Sequence, residues 1–184
     1  TMPDEDEQAA AYAAAAEALD GRPLLLRTLD AGADKPIPYL RQDPEGNPFL
    51  GVRGIRLGLQ RPALLDTQLR AIVRVARDHR LRVMFPMIST LDELREARAA
   101  LDRARAALGG RSDLEVGIMV EVPAAALTAS ALAAEVEFFS IGTNDLTQMV
   151  FGFSRDGVEG RLMTRCLDEG LLPRNPFETI DHRG

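Results

Sequence analysis

Along residues 62–76 the apolar positions Leu65, Leu69, Ile72, Val73 and Ala76 recur at three- and four-residue spacing, which predicts a helix with one buried face. A second helix is predicted from Thr90, where Thr90 and Glu93 are spaced as a capping box and Leu91, Leu94, Leu101 and Leu108 fall on one side. Gly109 and Gly110 would stop it. The first twenty residues read as a third helix, with Asp4 and Glu7 as another capping box, an alanine-rich interior and Gly21 as the stop. The alanine-rich stretch after Pro123 reads as a fourth. Between these stand short apolar runs: LLLRTL at 24–29, GVRGIRLGL from residue 51, RVMFPMI at 82–88, EVGIMVE at 115–121 and EFFSIG at 137–142. Each reads as a strand, and none alternates cleanly, as expected of parallel strands covered on both faces.

Strand starts near residues 24, 53, 83, 116 and 138 are separated by 29, 30, 33 and 22 residues, room each time for a strand, a crossover helix and two loops. Repeated βα units imply an α/β fold, either an open doubly wound sheet or a (β/α)8 barrel. A complete barrel takes about 250 residues, so on that reading the 184-residue chain carries about five βα units of an incomplete barrel. The whole of 1–184 is expected to form one domain. The Pro-, Gly- and Asp-rich stretch from Asp30 to Leu50 is a long loop, of the size usually kept for function.

Composition narrows this little. Hydrophobic residues make up 46% and the mean hydropathy is −0.10, ordinary for a globular domain. No run approaches the roughly 18 apolar residues of a membrane helix, and the acidic start TMPDEDEQ is unlike a secretory leader, so a cytoplasmic protein with no membrane partner is expected. The net charge of −6 argues against a nucleic-acid partner. Lys35 is the one lysine among 22 basic residues, a bias that reflects base composition more simply than function. A single cysteine, Cys166, excludes an internal disulfide framework and a cysteine-based zinc site.

Polar groups at the C-terminal ends of the predicted strands carry the candidate chemistry, because parallel α/β folds gather their functional groups at that edge. They are Arg27, Arg53, Glu121, Asn144 and Asp145. Glu121 and Asp145, on consecutive strands, would lie about one strand spacing of ~5 Å apart. Two carboxylates suit Mg²⁺, an oxygen-seeking ion that commonly takes one or two carboxylates plus substrate oxygens and water. Arg27 and Arg53 would then form a clamp for phosphate or carboxylate. The same carboxylates could instead cap the helices that follow them.

The segments LLLRTLDAGADKPIPYL, NPFLGVRGIRLGL, VMFPMIST, GIMVEVPAAAL and FFSIGTNDLTQ resemble, in order, the phosphoenolpyruvate-binding barrel of the PEP-utilizing enzymes. The first and third look most like Enzyme I of the sugar phosphotransferase system, the PEP-protein phosphotransferase. The resemblance implies a TIM-type barrel lacking the family's first strand and last two. It implies Mg²⁺ on Glu121 and Asp145, and PEP held by Arg27, Arg53, Asn144 and Arg155. It also implies a phosphohistidine domain as acceptor with release of pyruvate, a phosphocarrier protein beyond it, and a homodimer. The stretch after Asn144, with GFSRD and NPFETID, is more similar to pyruvate phosphate dikinase, which leaves the acceptor open between a carrier protein and nucleotide with phosphate. A non-catalytic PEP-binding or dimerisation module is the alternative of another class. The family's Gly-x-Cys-Gly-Glu acid is not in this sequence, and Cys166 in MTRCLDEG reads as a half-buried helical thiol. His79 and His182 stand in charged surface contexts, and Lys35 matches a lysine of the Enzyme I loop.

Overall fold

A computed structural model describes residues 2–32, 37–40, 43–109, 113–158 and 160–179. Helix α1 (Glu5–Glu17) opens on the expected capping box: Asp4 Oδ1 accepts from Glu7 N at 2.9 Å, and Glu7 Oε2 from Asp4 N at 2.9 Å. It buries little beyond Ala9 and Ala16, and is tied to a later helix by Arg70–Glu5 at 2.7 Å and Arg74–Asp6 at 2.6 Å. Strand β1 (Leu24–Arg27) follows, then a 3-10 turn (Pro48–Leu50), helix α2 (Ile55–Gln60), helix α3 (Pro62–Val75) and strand β2 (Leu81–Phe85). Helix α4 (Leu91–Leu108) starts on the predicted Thr90–Glu93 capping box and stops at Gly109 in the left-handed conformation, φ 65°. Strand β3 (Glu115–Val120), the short helices α5 (Pro123–Leu127) and α6 (Ala129–Ala133), and strand β4 (Phe138–Ile141) come next. Helix α7 (Thr143–Phe151), the single turn α8 (Arg155–Val158) and helix α9 (Arg161–Asp168) complete the described chain.

The four strands form one parallel sheet in the order β1-β2-β3-β4. The core lies between this sheet and the helices of its crossovers. Phe85, Val83, Val116 and Ile118 from the sheet meet Leu69, Ile72, Leu94 and Leu101 from α3 and α4, all fully buried or nearly so. Complete burial of such side chains stabilises by about 1.5–3 kcal/mol each, so this helix–sheet layer is the frame on which the loops at the strand ends rest.

The expected strand starting near residue 53 is not formed, so the described residues contain four strands, one fewer than the reading from sequence. The short apolar run GIRLGL, at the spacing of the other βα units, imitates a strand. Gly54, however, adopts φ 56° and ψ −129°, and Ile55, Leu57 and Gly58 are buried from a short helix instead. Arg61 then takes φ −122° and ψ 71°, outside the helical region that a following proline disfavours, and α3 begins at Pro62. Other boundaries moved as well. Strand β2 ends at Phe85 because Pro86 supplies no N–H, and the helix after Pro123 breaks in two around Thr128. Cys166 lies on α9, a helix as expected, but is buried instead of half-buried. Lys35 and His182 lie outside the described residues. His79 is half-buried in the turn before β2, at the end of the sheet opposite the candidate site.

Candidate functional site

Beyond the C-terminal ends of the strands the chain builds a cluster of buried charge around Arg53, a residue with no side-chain exposure. Arg53 sits in the bend just ahead of α2, not at a strand end as expected, and is held there by its backbone. Its own N–H donates to Gly51 O at 3.1 Å, while Gly54 N–H donates to Ala31 O at 3.1 Å. The guanidinium meets two carboxylates. Its Nε donates to Asp30 Oδ1 at 3.3 Å, and its Nη2 donates to Asp30 Oδ2 at 2.9 Å and Asp145 Oδ2 at 3.0 Å. The Phe49 ring covers it, with its centroid 5.2 Å from the guanidinium carbon. A buried cation of this kind persists only when paired and hydrogen-bonded, and Asp30 and Asp145 meet that need.

Arg27, the last residue of β1, approaches the same Asp30 from the solvent side. Its Nη1 is 3.6 Å from Asp30 Oδ2 and 3.8 Å from Met119 Sδ, and its side chain is 43% exposed. The structure therefore brings Arg27 and Arg53 together, with Asp30 between them.

Glu121 follows β3 directly and is 2% exposed. Its Oε1 accepts from Met87 N at 2.7 Å. Met87 is itself buried and adopts φ 58°, a strained left-handed conformation for a side chain of its size. Burial pushes the Glu121 carboxyl above its ordinary range, opposed by the Met87 N–H, and the charges of Asp30 and Asp145 push it further the same way while Arg53 pulls it back. The register Val120↔Ile141 sets Glu121 beside Gly142, where a Cβ would stand 2.6 Å from Glu121 Cβ and 2.9 Å from its Oε2. Only a glycine leaves that carboxylate room.

Asn144 and Asp145 were expected on a loop at a strand tip; they lie in the first turn of α7. Neither Glu121 nor Asp145 serves as an N-cap. The N-caps of α5 and α7 are Val122 and Gly142, and neither helix has a side-chain cap bond. The capping alternative is thereby removed. Asn144 Nδ2 donates to Asp145 Oδ1 at 3.3 Å, and Asn144 Oδ1 accepts from Arg155 Nη1 at 2.9 Å. Arg155, exposed on α8, lies 5.9 Å from the Phe177 ring centroid.

All six residues singled out from sequence thus gather at one end of the sheet, as two linked groups: Arg27–Asp30–Arg53–Asp145 with Glu121 alongside, and Asp145–Asn144–Arg155. Two participants escaped the sequence reading. Asp30 stood in plain view in RTLD, three residues beyond Arg27, an acidic group next to a candidate arginine. Met87 has no signal in sequence, because its contribution is a backbone N–H.

Among the described residues no group of three or more acidic, histidine or cysteine side chains converges as a self-sufficient metal site. Glu121 and Asp145 nonetheless fit a hard cation that completes its shell from a ligand. They are buried and adjacent, and their mutual repulsion raises the proton affinity of Glu121, a cost that a divalent ion between them would relieve.

The chain is similar to known proteins along most of its length. A family model described as the PEP-utilising enzyme, PEP-binding domain matches residues 1–172. A multiphosphoryl transfer protein of Xanthomonas campestris pv. campestris is 54% identical over 98% of this chain and 22% of its own length. Phosphoenolpyruvate-protein phosphotransferases of Latilactobacillus sakei and Mycoplasma pneumoniae are 48% and 47% identical, over 84% and 92% of this chain and 28% and 30% of theirs. The chain spans less than a third of the length of these relatives.

Proposed function

Because the chain belongs to the PEP-binding domain family of PEP-utilising enzymes, we propose that it is the PEP- and Mg²⁺-binding part of a PEP-protein phosphotransferase, a transferase that passes the PEP phosphoryl group to an enzyme histidine and releases pyruvate. The observation that carries this reading is the buried Arg53 flanked by Asp30 and Asp145, with Glu121 beside them and the exposed Arg27 in front. The names of the relatives favour this acceptor over that of a pyruvate phosphate dikinase.

Each residue has a definable task. Arg27 is open to solvent and offers a planar fork for phosphate oxygens, while Arg53 provides fixed positive charge from behind. Arg155, oriented by Asn144, presents a third cation at the far rim, suited to the carboxylate end of PEP. Glu121 and Asp145 would hold Mg²⁺, which when bound supplies charge neutralisation at the carboxylate and developing enolate oxygens. Phosphoryl transfer asks the protein chiefly for positioning and electrostatic stabilisation, and these side chains are of the types that provide both. The phosphorylated histidine would come from another domain, with a phosphocarrier protein beyond it.

The four strands are read as part of a (β/α)8 barrel, and residues 1–184 as one partial barrel domain that pairs as a homodimer. The unbroken order β1-β2-β3-β4 supports the barrel, since a doubly wound sheet reverses its strand order at a switch point.

The direct test is titration calorimetry with PEP and with oxalate, in the presence and absence of Mg²⁺. Saturable binding that requires Mg²⁺ is expected, and Arg27→Ala, an exposed change, should weaken it on the order of a hundredfold while leaving the melting temperature unchanged. Failure of both ligands to bind at millimolar concentration would refute the site.

A further inference from the structure

From the contacts of the cluster we infer that Asp30 is a positioning residue for the anion site: it sets the plane and direction of the Arg53 guanidinium and contributes no contact of its own to the ligand. This rests on the PEP-binding reading above.

The geometry is that of a side-on pair. Asp30 Oδ1 accepts from both Nε and Nη2 of Arg53, at 3.3 and 3.1 Å, and Oδ2 accepts from Nη2 at 2.9 Å. A carboxylate engaging that edge fixes a guanidinium in rotation as well as in position, which a single hydrogen bond cannot do. Both side chains are buried, Arg53 at 0% and Asp30 at 2% exposure, so water does not loosen the pair.

A positioning group must itself be immobile, and the segment around Asp30 is pinned on both sides. Thr28 N–H donates to Met84 O at 3.0 Å and Leu29 N–H to Gln68 Oε1 at 2.9 Å, on one side. On the other, Ala31 O accepts from Gly54 N–H, next to Arg53. Gly54 lets the two segments approach: a Cβ there would lie 3.3 Å from Asp30 Oδ1 and 2.9 Å from Met87 Cγ, and φ 56° favours glycine in any case. Asp30 also lies 3.6 Å from Arg27, so one carboxylate spaces both arginines. Asp30 is itself 2% exposed and engaged between the two arginines, so it offers the ligand no open face.

The test is a set of PEP titrations with Mg²⁺ on wild-type chain, Asp30→Glu, Asp30→Asn, Arg53→Lys and the double variant Asp30→Asn/Arg53→Lys, each with a thermal melt. Asp30→Glu keeps the buried charge balance and moves the carboxylate by one methylene. It should weaken PEP binding on the order of tenfold, since displacements near 1 Å cost up to about a hundredfold at such sites. Asp30→Asn should do the same, and adding it to Arg53→Lys should change affinity by less than about twofold, because a group acting only through Arg53 has nothing left to position. Wild-type affinity in Asp30→Glu, tighter binding in Asp30→Asn, or losses that multiply in the double variant would each overturn the inference. If Asp30→Asn does not fold, Asp30→Glu decides alone. Absence of PEP binding by the unsubstituted chain would refute the functional reading and this inference with it, and is recognisable because it precedes any substitution.

Discussion

At the scale of the residue, the feature with the clearest consequence is Glu121, whose carboxyl is held above its ordinary value of 4.5 first by burial and then by Asp30 and Asp145. A carboxyl with a raised pKa binds its proton more tightly in the folded chain than in the unfolded one. The stability linked to that proton is whole below the ordinary value and is lost as pH rises through the interval up to the raised one. Glu121→Gln keeps an oxygen for the Met87 N–H and removes the charge. In metal-free buffer the variant should melt with the wild type near pH 4 and above it near pH 7.5, the gap opening as pH rises from about 4.5. A gap of constant size, or one that closes with rising pH, would show that Glu121 is not held in this way. The same variant should lose the Mg²⁺ dependence of PEP binding, which separates the structural cost of the carboxylate from its use.

At the scale of the element, the site depends on how closely β3 and β4 approach at their ends. Gly142 is the contact point. Its φ of −90° is open to any residue, so an alanine there meets no backbone penalty, only the Glu121 side chain and Met119 Cγ at 3.0 Å. Gly142→Ala should therefore cost about 1–3 kcal/mol through overpacking and weaken Mg²⁺-dependent PEP binding on the order of tenfold by displacing Glu121. Melts and calorimetry on one preparation would check both. An alanine variant with normal affinity would mean that the carboxylate tolerates displacement. Arg56 has a different task, visible in its partners: its Nη2 donates to Ser89 Oγ at 2.8 Å and its Nε to Glu93 Oε1 at 3.4 Å, tying α2 to the start of α4. Of the two arginines in GVRGIR, one joins the charged cluster and the other fastens the loop that carries it.

At the scale of the whole molecule, the parallel sheet has a strand at each side with a partner on one flank only among the described residues, β1 and β4. Each exposes an apolar side chain, Leu25 at 43% and Ile141 at 60%. Unpaired strand edges with apolar groups recruit other chains. The isolated chain should accordingly self-associate at micromolar concentration in sedimentation velocity, and Leu25→Lys, a charge on an edge strand remote from Glu121, should shift it toward monomer. A monomer across the full concentration range would rule this out.

How much of this was legible beforehand follows a physical division. Helices α1, α3 and α4 and strands β1, β2, β3 and β4 were readable from sequence because their signals are local: capping residues reach three positions along the chain, and apolar spacing reports which face a helix buries. Five of the six candidate residues were readable as types placed near strand ends, and Arg155 through the family resemblance. What local pattern could not decide was the conformation of GVRGIRLGL, where a short apolar run at βα spacing reads as a strand, but Gly54 at positive φ, pinned to Ala31 and packed on Met87, turns the chain into α2. Nor could it show that Asp30 stands between two arginines, or that a strained Met87 lends its N–H to Glu121. Those depend on partners 23 and 34 positions away, and only the packing of the sheet brings such groups within hydrogen-bonding distance. Sequence alone determined the βα order and the chemical inventory at the strand ends. Tertiary structure decided which charges pair and which lie buried, because pairing and desolvation depend on distances in space.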